Sequence, residues 1–153
     1  MRWPALPVRW PCVSELPRSQ IYEGGCLCGS VRYRLSGSPL HSVICHCRSC
    51  RRASGASTVA WLTFERTRFE WLSGRARPHV SSPGVLRCFC GICGSPLTYE
   101  NESSQGTIDV TTASLDDANR FPPTREVWLE HKLSWQAANP ALEPFARDSA
   151  AGT

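Results

Sequence analysis

The chain has 153 residues, enough for one domain, and 41% hydrophobic content supports a modest core. Its formal charge of +4 is spread along the sequence and forms no basic stripe of the kind a nucleic-acid partner needs. No apolar run approaches the roughly 18 residues of a membrane span, and 12 prolines with 11 glycines favour turns over long helices.

Residues 1–20 hold four prolines, two tryptophans and no periodicity, which predicts a poorly ordered N-terminal extension. Pro4, Pro7, Pro11 and Arg9 break any apolar segment there, so a secretory signal is not expected, and Cys12 reads as a bystander. Past Cys26-Leu27-Cys28, Val31, Tyr33 and Leu35 alternate with Arg32 and Arg34 as a half-buried strand. Thr58–Phe64 and Phe69–Leu72 are aromatic and β-branched strand segments, followed by Val85–Phe89 and Thr107–Thr111. A helical turn is expected at Ser114, where Ser-Leu-Asp-Asp places an acid at the third position. Val127–Trp135 reads as the clearest strand: Val127, Leu129, Leu133 and Trp135 share a face with His131, and Glu130, Lys132 and Ser134 oppose them. From Ala137 onward, Pro140, Pro144 and small residues suggest a tail. The expected class is therefore mostly β, organised as an extension (1–20), a domain (21–136) and a C-terminal tail (137–153).

Cysteine placement carries the chemistry. Eight of nine cysteines fall into three clusters, Cys26-x-Cys28, Cys45-x-Cys47-x-x-Cys50 and Cys88-x-Cys90-x-x-Cys93. Thiolates one or two residues apart can converge on a metal at about 2.3 Å. Disulfides seldom join such neighbours, because the bridge needs a wider Cα separation and a set dihedral. The odd count also fits a reduced, cytoplasmic, metal-binding protein better than a secreted disulfide framework. Two arrangements fit: two closed four-sulfur sites, or one closed site and one three-sulfur site with an open position. Spacing alone does not choose between them, and iron–sulfur ligation is a further option. Cys88 and Cys90 on one strand would lie about 6.5–7 Å apart, whereas Cys90-Gly91-Ile92-Cys93-Gly94 forms a compact knuckle. Cys90 and Cys93 are the expected ligands, and Cys88 a buried bystander. His46, flanked by two ligands, is expected to point away from the metal, and His131 to be structural. Ser49, Ser54 and Ser57 have no base partner for nucleophilic chemistry.

Three segments resemble the motifs of the glutathione-dependent formaldehyde-activating enzyme family. They are Gly24-Gly25-Cys26-Leu27-Cys28-Gly29-Ser30-Val31-Arg32-Tyr33, Cys45-His46-Cys47-Arg48-Ser49-Cys50-Arg51-Arg52-Ala53-Ser54-Gly55, and Phe89-Cys90-Gly91-Ile92-Cys93-Gly94-Ser95-Pro96-Leu97. Ala113–Asp117 and the segment ending at Trp135 also fit, so the resemblance spans roughly residues 22–136. It implies an Mss4-like β-tent with two zinc ions. Cys26, Cys28, Cys90 and Cys93 would form a closed structural site, and Cys45, Cys47 and Cys50 an open catalytic one. It further implies a carbon–sulfur lyase, S-(hydroxymethyl)glutathione synthase-like, acting on a small thiol such as glutathione and an aldehyde such as formaldehyde. Arg48, Arg51 and Arg52 stand beside the second motif as candidate partners for the thiol's carboxylates, since an arginine fork matches a carboxylate. The alternative within the Mss4-like group is a non-catalytic zinc-binding chaperone or interaction module.

Overall fold

The computed structural model describes residues 20–104 and 106–148; the expected N-terminal extension through residue 19, with Cys12, and residues 149–153 lie outside the described residues. In chain order the elements begin with β1 (Ile21–Gly25), β2 (Arg32–Ser36), β3 (His41–Cys45), α1 (Arg48–Ser54), β4 (Val59–Glu65) and β5 (Phe69–Ser73). They continue with β6 (Ala76–Ser82), β7 (Val85–Cys90), β8 (Pro96–Asn101), β9 (Thr107–Thr111), β10 (Arg125–Val127) and β11 (Glu143–Pro144). The expectation of a mostly β protein is met.

Two sheets form. The smaller has the order β1-β2-β5 and the larger β11-β10-β3-β4-β9-β8-β7-β6. Pairing is antiparallel except around β10, which runs parallel to both β3 and β11. Alternation along β4 explains how the layers stack. Leu62 and Phe64 are fully buried in one core with Tyr33 and Leu35 of the small sheet and Ile108 and Val110 of β9. Val59 and Trp61, on the opposite face of β4, pack in a second core with Cys45, Cys50 and Val127. A strand buried on both faces carries a near-continuous apolar run, as Val59–Phe64 does.

Five of the expected strands are present, as β2, β4, β5, β7 and β9. Three expectations need correction. The segment Val127–Trp135 is not one strand: β10 stops at Val127, and Trp128 adopts φ 61° and ψ 38° before a 3-10 turn at Leu129–His131. Left-handed backbone ends the ladder, and Trp135 is exposed. The helical turn expected to open at Ser114 instead spans Thr112–Ser114, with another at Ala118–Arg120. The acid expected at the third helical position, Asp117, makes no side-chain cap bond, and its neighbour Asp116 is taken by a two-pronged ion pair with Arg32 of β2.

The stretch from Ala137, expected as a tail, folds back as far as residue 148. β11 adds to β10, and the N–H groups of Trp128, Leu129 and Glu130 donate to the carbonyls of Arg147, Phe145 and Ala146 at 3.0–3.1 Å. No helix among the described residues is long and apolar enough to cross a membrane.

Candidate metal centres

The two sulfur groups arise at strand ends. Cys26 leaves β1, and Cys28 follows in the turn before β2. Cys90 ends β7, and Cys93 lies in the loop before β8. These four sulfurs lie within 4.8 Å of one another, with Cys26–Cys28 at 3.5 Å and Cys28–Cys90 at 3.8 Å. A tetrahedron with metal–sulfur bonds of about 2.3 Å has edges of about 3.8 Å, so the donor set fits a tetrahedral thiophilic ion. Gly94, at φ 77°, closes the second knuckle by donating its N–H to the Cys90 carbonyl at 2.9 Å. Backbone N–H groups and serine hydroxyls reach the sulfurs. Val31 N–H reaches Cys26 Sγ at 3.3 Å and Ile92 N–H reaches Cys90 Sγ at 3.4 Å. The Ser30 hydroxyl sits 3.0 Å from Cys28 Sγ. The Ser95 hydroxyl and backbone N–H hold the Cys93 thiol down at about 5.

The second group is Cys45, Cys47 and Cys50, again with sulfurs within 4.8 Å of one another. Cys45 ends β3. Cys47 caps α1, its Sγ accepting the Cys50 N–H at 3.2 Å, and Gly55 stops the helix in the left-handed region at φ 68°. A thiolate at a helix N-terminus serves the capping role usually taken by Ser or Asp. Hydrogen bonds from the Cys45 and Cys50 thiols pull Cys47 down to about 2, while Cys45, sharing its proton with Cys47 and Cys50, is raised. One sulfur thus ionises readily at the expense of its neighbours, and a bound cation would release the others. Among the described residues no fourth Cys, His, Asp or Glu joins this group. Cys45 and Cys50 are buried and Cys47 partly exposed, so the group faces solvent on the Cys47 side.

Several expected residues fall into place. His46 is fully buried with Nε2 3.1 Å from Glu126 Oε1, turned from the sulfurs as anticipated. Glu126 is equally buried and holds the Asn139 N–H through its other oxygen at 2.9 Å. Cys88 belongs to neither sulfur group, though it is half-buried rather than buried. It follows Arg87 on β7, and successive strand residues point to opposite faces. His131 stacks on Trp128 at 5.5 Å instead of lining a strand. Ser54 and Ser57 bond the Cys50 carbonyl and the Gln136 side chain. Arg48 and Arg52 are exposed on α1, while Arg51 is half-buried with its Nε covered.

Sequence reasoning passed over the large-sheet face beside the three sulfurs. Arg87 of β7 brings Nη2 within 3.6 Å of Cys50 Sγ. Its guanidinium lies over the Tyr99 ring at 4.7 Å, and Nε donates to the Ser81 hydroxyl at 3.3 Å. Register aligns Arg87 with Tyr99, Tyr99 with Asp109 and Asp109 with Thr63, so one polar row crosses β7, β8, β9 and β4. Burial pushes the Asp109 carboxyl up to about 6 against the hydrogen bond from Thr63. Trp61, Trp128 and Phe145 complete an aromatic wall around Cys45 and Cys50. Only cross-strand pairing assembles this row; no local motif announces it.

Comparison with known proteins agrees with the geometry. The family described as glutathione-dependent formaldehyde-activating enzyme matches residues 21–131. A Halomonas elongata protein, named provisionally as a glutathione-dependent formaldehyde-activating enzyme, is 27% identical over 125 residues, covering 75% of this chain and 79% of its own. A crystal structure of a Rhodobacter sphaeroides protein superposes with a TM-score of 0.55 at 18% identity, covering 80% of this chain and 98% of that one, and speaks for the fold alone.

Proposed function

The chain belongs to the glutathione-dependent formaldehyde-activating enzyme family, and from that premise we propose that it is a carbon–sulfur lyase of the S-(hydroxymethyl)glutathione synthase type with two zinc ions. The observation that carries this reading is the asymmetry of the sulfur groups: four in one, three in the other, with no further protein ligand among the described residues. A closed four-thiolate set suits a structural ion, whereas a three-ligand set leaves a position for substrate. Three thiolates also make a soft, weakly Lewis-acidic centre, better suited to a thiol than to activating water.

In the reaction, the substrate sulfur forms a bond to the carbonyl carbon of the aldehyde, and the thiol's proton ends on the resulting hydroxyl; the reverse direction breaks that carbon–sulfur bond. When bound, zinc would lower the proton affinity of the incoming thiol so that the thiolate predominates near neutral pH. Cys45, Cys47 and Cys50 would hold the ion with Cys47 on the solvent side. Trp61, Val127 and the Phe145 ring pack around the two buried sulfurs and limit water there. Arg48, Arg51 and Arg52 on α1 would meet the carboxylates of glutathione. The binding-module alternative draws on Leu27 and Ile92, which stand exposed at the tips of the two knuckles.

The deciding experiment measures formation and breakdown of S-(hydroxymethyl)glutathione at fixed glutathione and formaldehyde. The zinc-loaded protein is expected to exceed the spontaneous rate, and Cys47→Ser to return it to background while the fold persists. A wild-type protein no faster than buffer would leave the binding-module reading standing.

A further inference from the structure

Among the large-sheet residues around the open cluster, Arg87 is one that brings a positive charge onto a sulfur. Its Nη2 contacts Cys50 Sγ at 3.6 Å. At the four-sulfur cluster, by contrast, the donors recorded onto sulfur are backbone N–H groups and serine hydroxyls. The difference matters because the open cluster, unlike the closed one, gains charge when a substrate thiolate arrives. Three thiolates and a dication sum to one net negative charge, and a fourth, incoming thiolate adds another. In a partly buried site that second charge meets weak screening. A guanidinium on Cys50 offsets it.

Arg87 is also held ready for this task. Its register position opposite Tyr99, the ring beneath its guanidinium at 4.7 Å and the Ser81 hydroxyl at 3.3 Å fix the fork before any ligand arrives. A planar guanidinium stacked on an aromatic face loses little freedom on bonding, unlike a lysine ammonium.

We infer that Arg87, acting through Cys50, is the positioning residue that makes the open position selective for an anionic sulfur over a neutral ligand. This rests on the three-sulfur site taking a substrate thiol. It assigns to β7, not only to the arginines of α1, the charge that thiol binding requires.

Cobalt-substituted full-length protein tests it, with two probes titrated by absorption: glutathione, which binds as a thiolate, and imidazole, which binds neutral. Arg87→Gln is expected to weaken glutathione about tenfold, the scale of one charge-assisted hydrogen bond, and to leave imidazole binding unchanged. Arg87→Lys should recover part of the loss, since it keeps the charge but not the stacked fork. Far-UV circular dichroism and an unchanged four-sulfur cobalt spectrum establish that the variants are folded. Equal weakening of both probes would reduce Arg87 to a packing role and overturn the inference. So would undiminished glutathione binding in Arg87→Gln, with the enzymatic reading intact. A wild-type protein that takes imidazole but never glutathione would remove that reading together with the inference.

Discussion

Cys88 shows how much a single residue's strand parity decides. It precedes Cys90 by two positions and invites inclusion in a metal site, yet Arg87, next to it on β7, reaches Cys50. Alternation therefore directs Cys88 to the other face of the sheet, where it pairs in register with Thr98. Burial pushes its thiol up, as befits a protonated side chain at rest in a sheet. Cys88→Ser is expected to keep the full metal complement by elemental analysis and to change stability by no more than about 1 kcal/mol, the cost of exchanging a small half-buried group. Loss of an ion would make Cys88 a ligand and close the open cluster. The role of Cys88 is legible from the sequence because strand spacing is a local property. The same holds for His46, whose place between two clustered cysteines turns its ring away from them. Its partner Glu126, eighty residues on, is not legible, since only the parallel pairing of β3 with β10 brings the two together.

At the scale of elements, the stretch after Ala137 departs furthest from expectation. It is rich in proline and small residues, which read as tail, but β11 borrows its order from β10 rather than from its own propensity. Cutting the chain after Gln136 would leave the N–H groups of Trp128, Leu129 and Glu130 without their carbonyl partners, orphan the Glu126 carbonyl that accepts the Phe145 N–H, and strip Phe145 from the aromatic wall. Several orphaned backbone groups at about 1 kcal/mol or more each predict a fall in melting temperature of ten degrees or more, measured by thermal denaturation of the metal-loaded protein. An unchanged melting temperature would show that this segment contributes nothing to the fold. The left-handed Trp128 belongs to the same device: its backbone conformation is costly for a non-glycine residue and persists because the returning segment holds it on both sides. That is also why Val127–Trp135 looked like a strand. Its apolar spacing is real, but the ladder is interrupted by a contact from outside the window. Helix α1 was missed for the opposite reason, its cap being a thiol and its seven residues carrying no apolar face.

Across the whole molecule, the two clusters differ most in how much chain they enclose. Cys28 and Cys90 are separated by 62 positions, and their cluster joins the β1–β2 turn of the small sheet to the β7–β8 knuckle of the large one. Binding of a structural zinc ion is worth on the order of 10–16 kcal/mol, as much as the net stability of a typical domain, about 5–15 kcal/mol. Losing such an ion would both open a long loop and uncouple the sheets. Cys45 through Cys50 span a single turn, and that turn is also pinned by the His46 N–H to the Val127 carbonyl at 3.0 Å and by His46 to Glu126. An ion held there would close almost no loop, so little folding free energy would depend on it. The two classes of variant should therefore behave differently. Cys90→Ser is expected to give an aggregating or unfolded chain by circular dichroism, with both ions lost. Cys47→Ser should retain near-native circular dichroism with one ion per chain by elemental analysis. A mild chelator should follow the same order, emptying the three-sulfur cluster first without loss of secondary structure and unfolding the protein only when the second ion leaves. If both ions left together with the fold, the clusters would be energetically equivalent, and the division of labour between a structural and a reactive centre would fail.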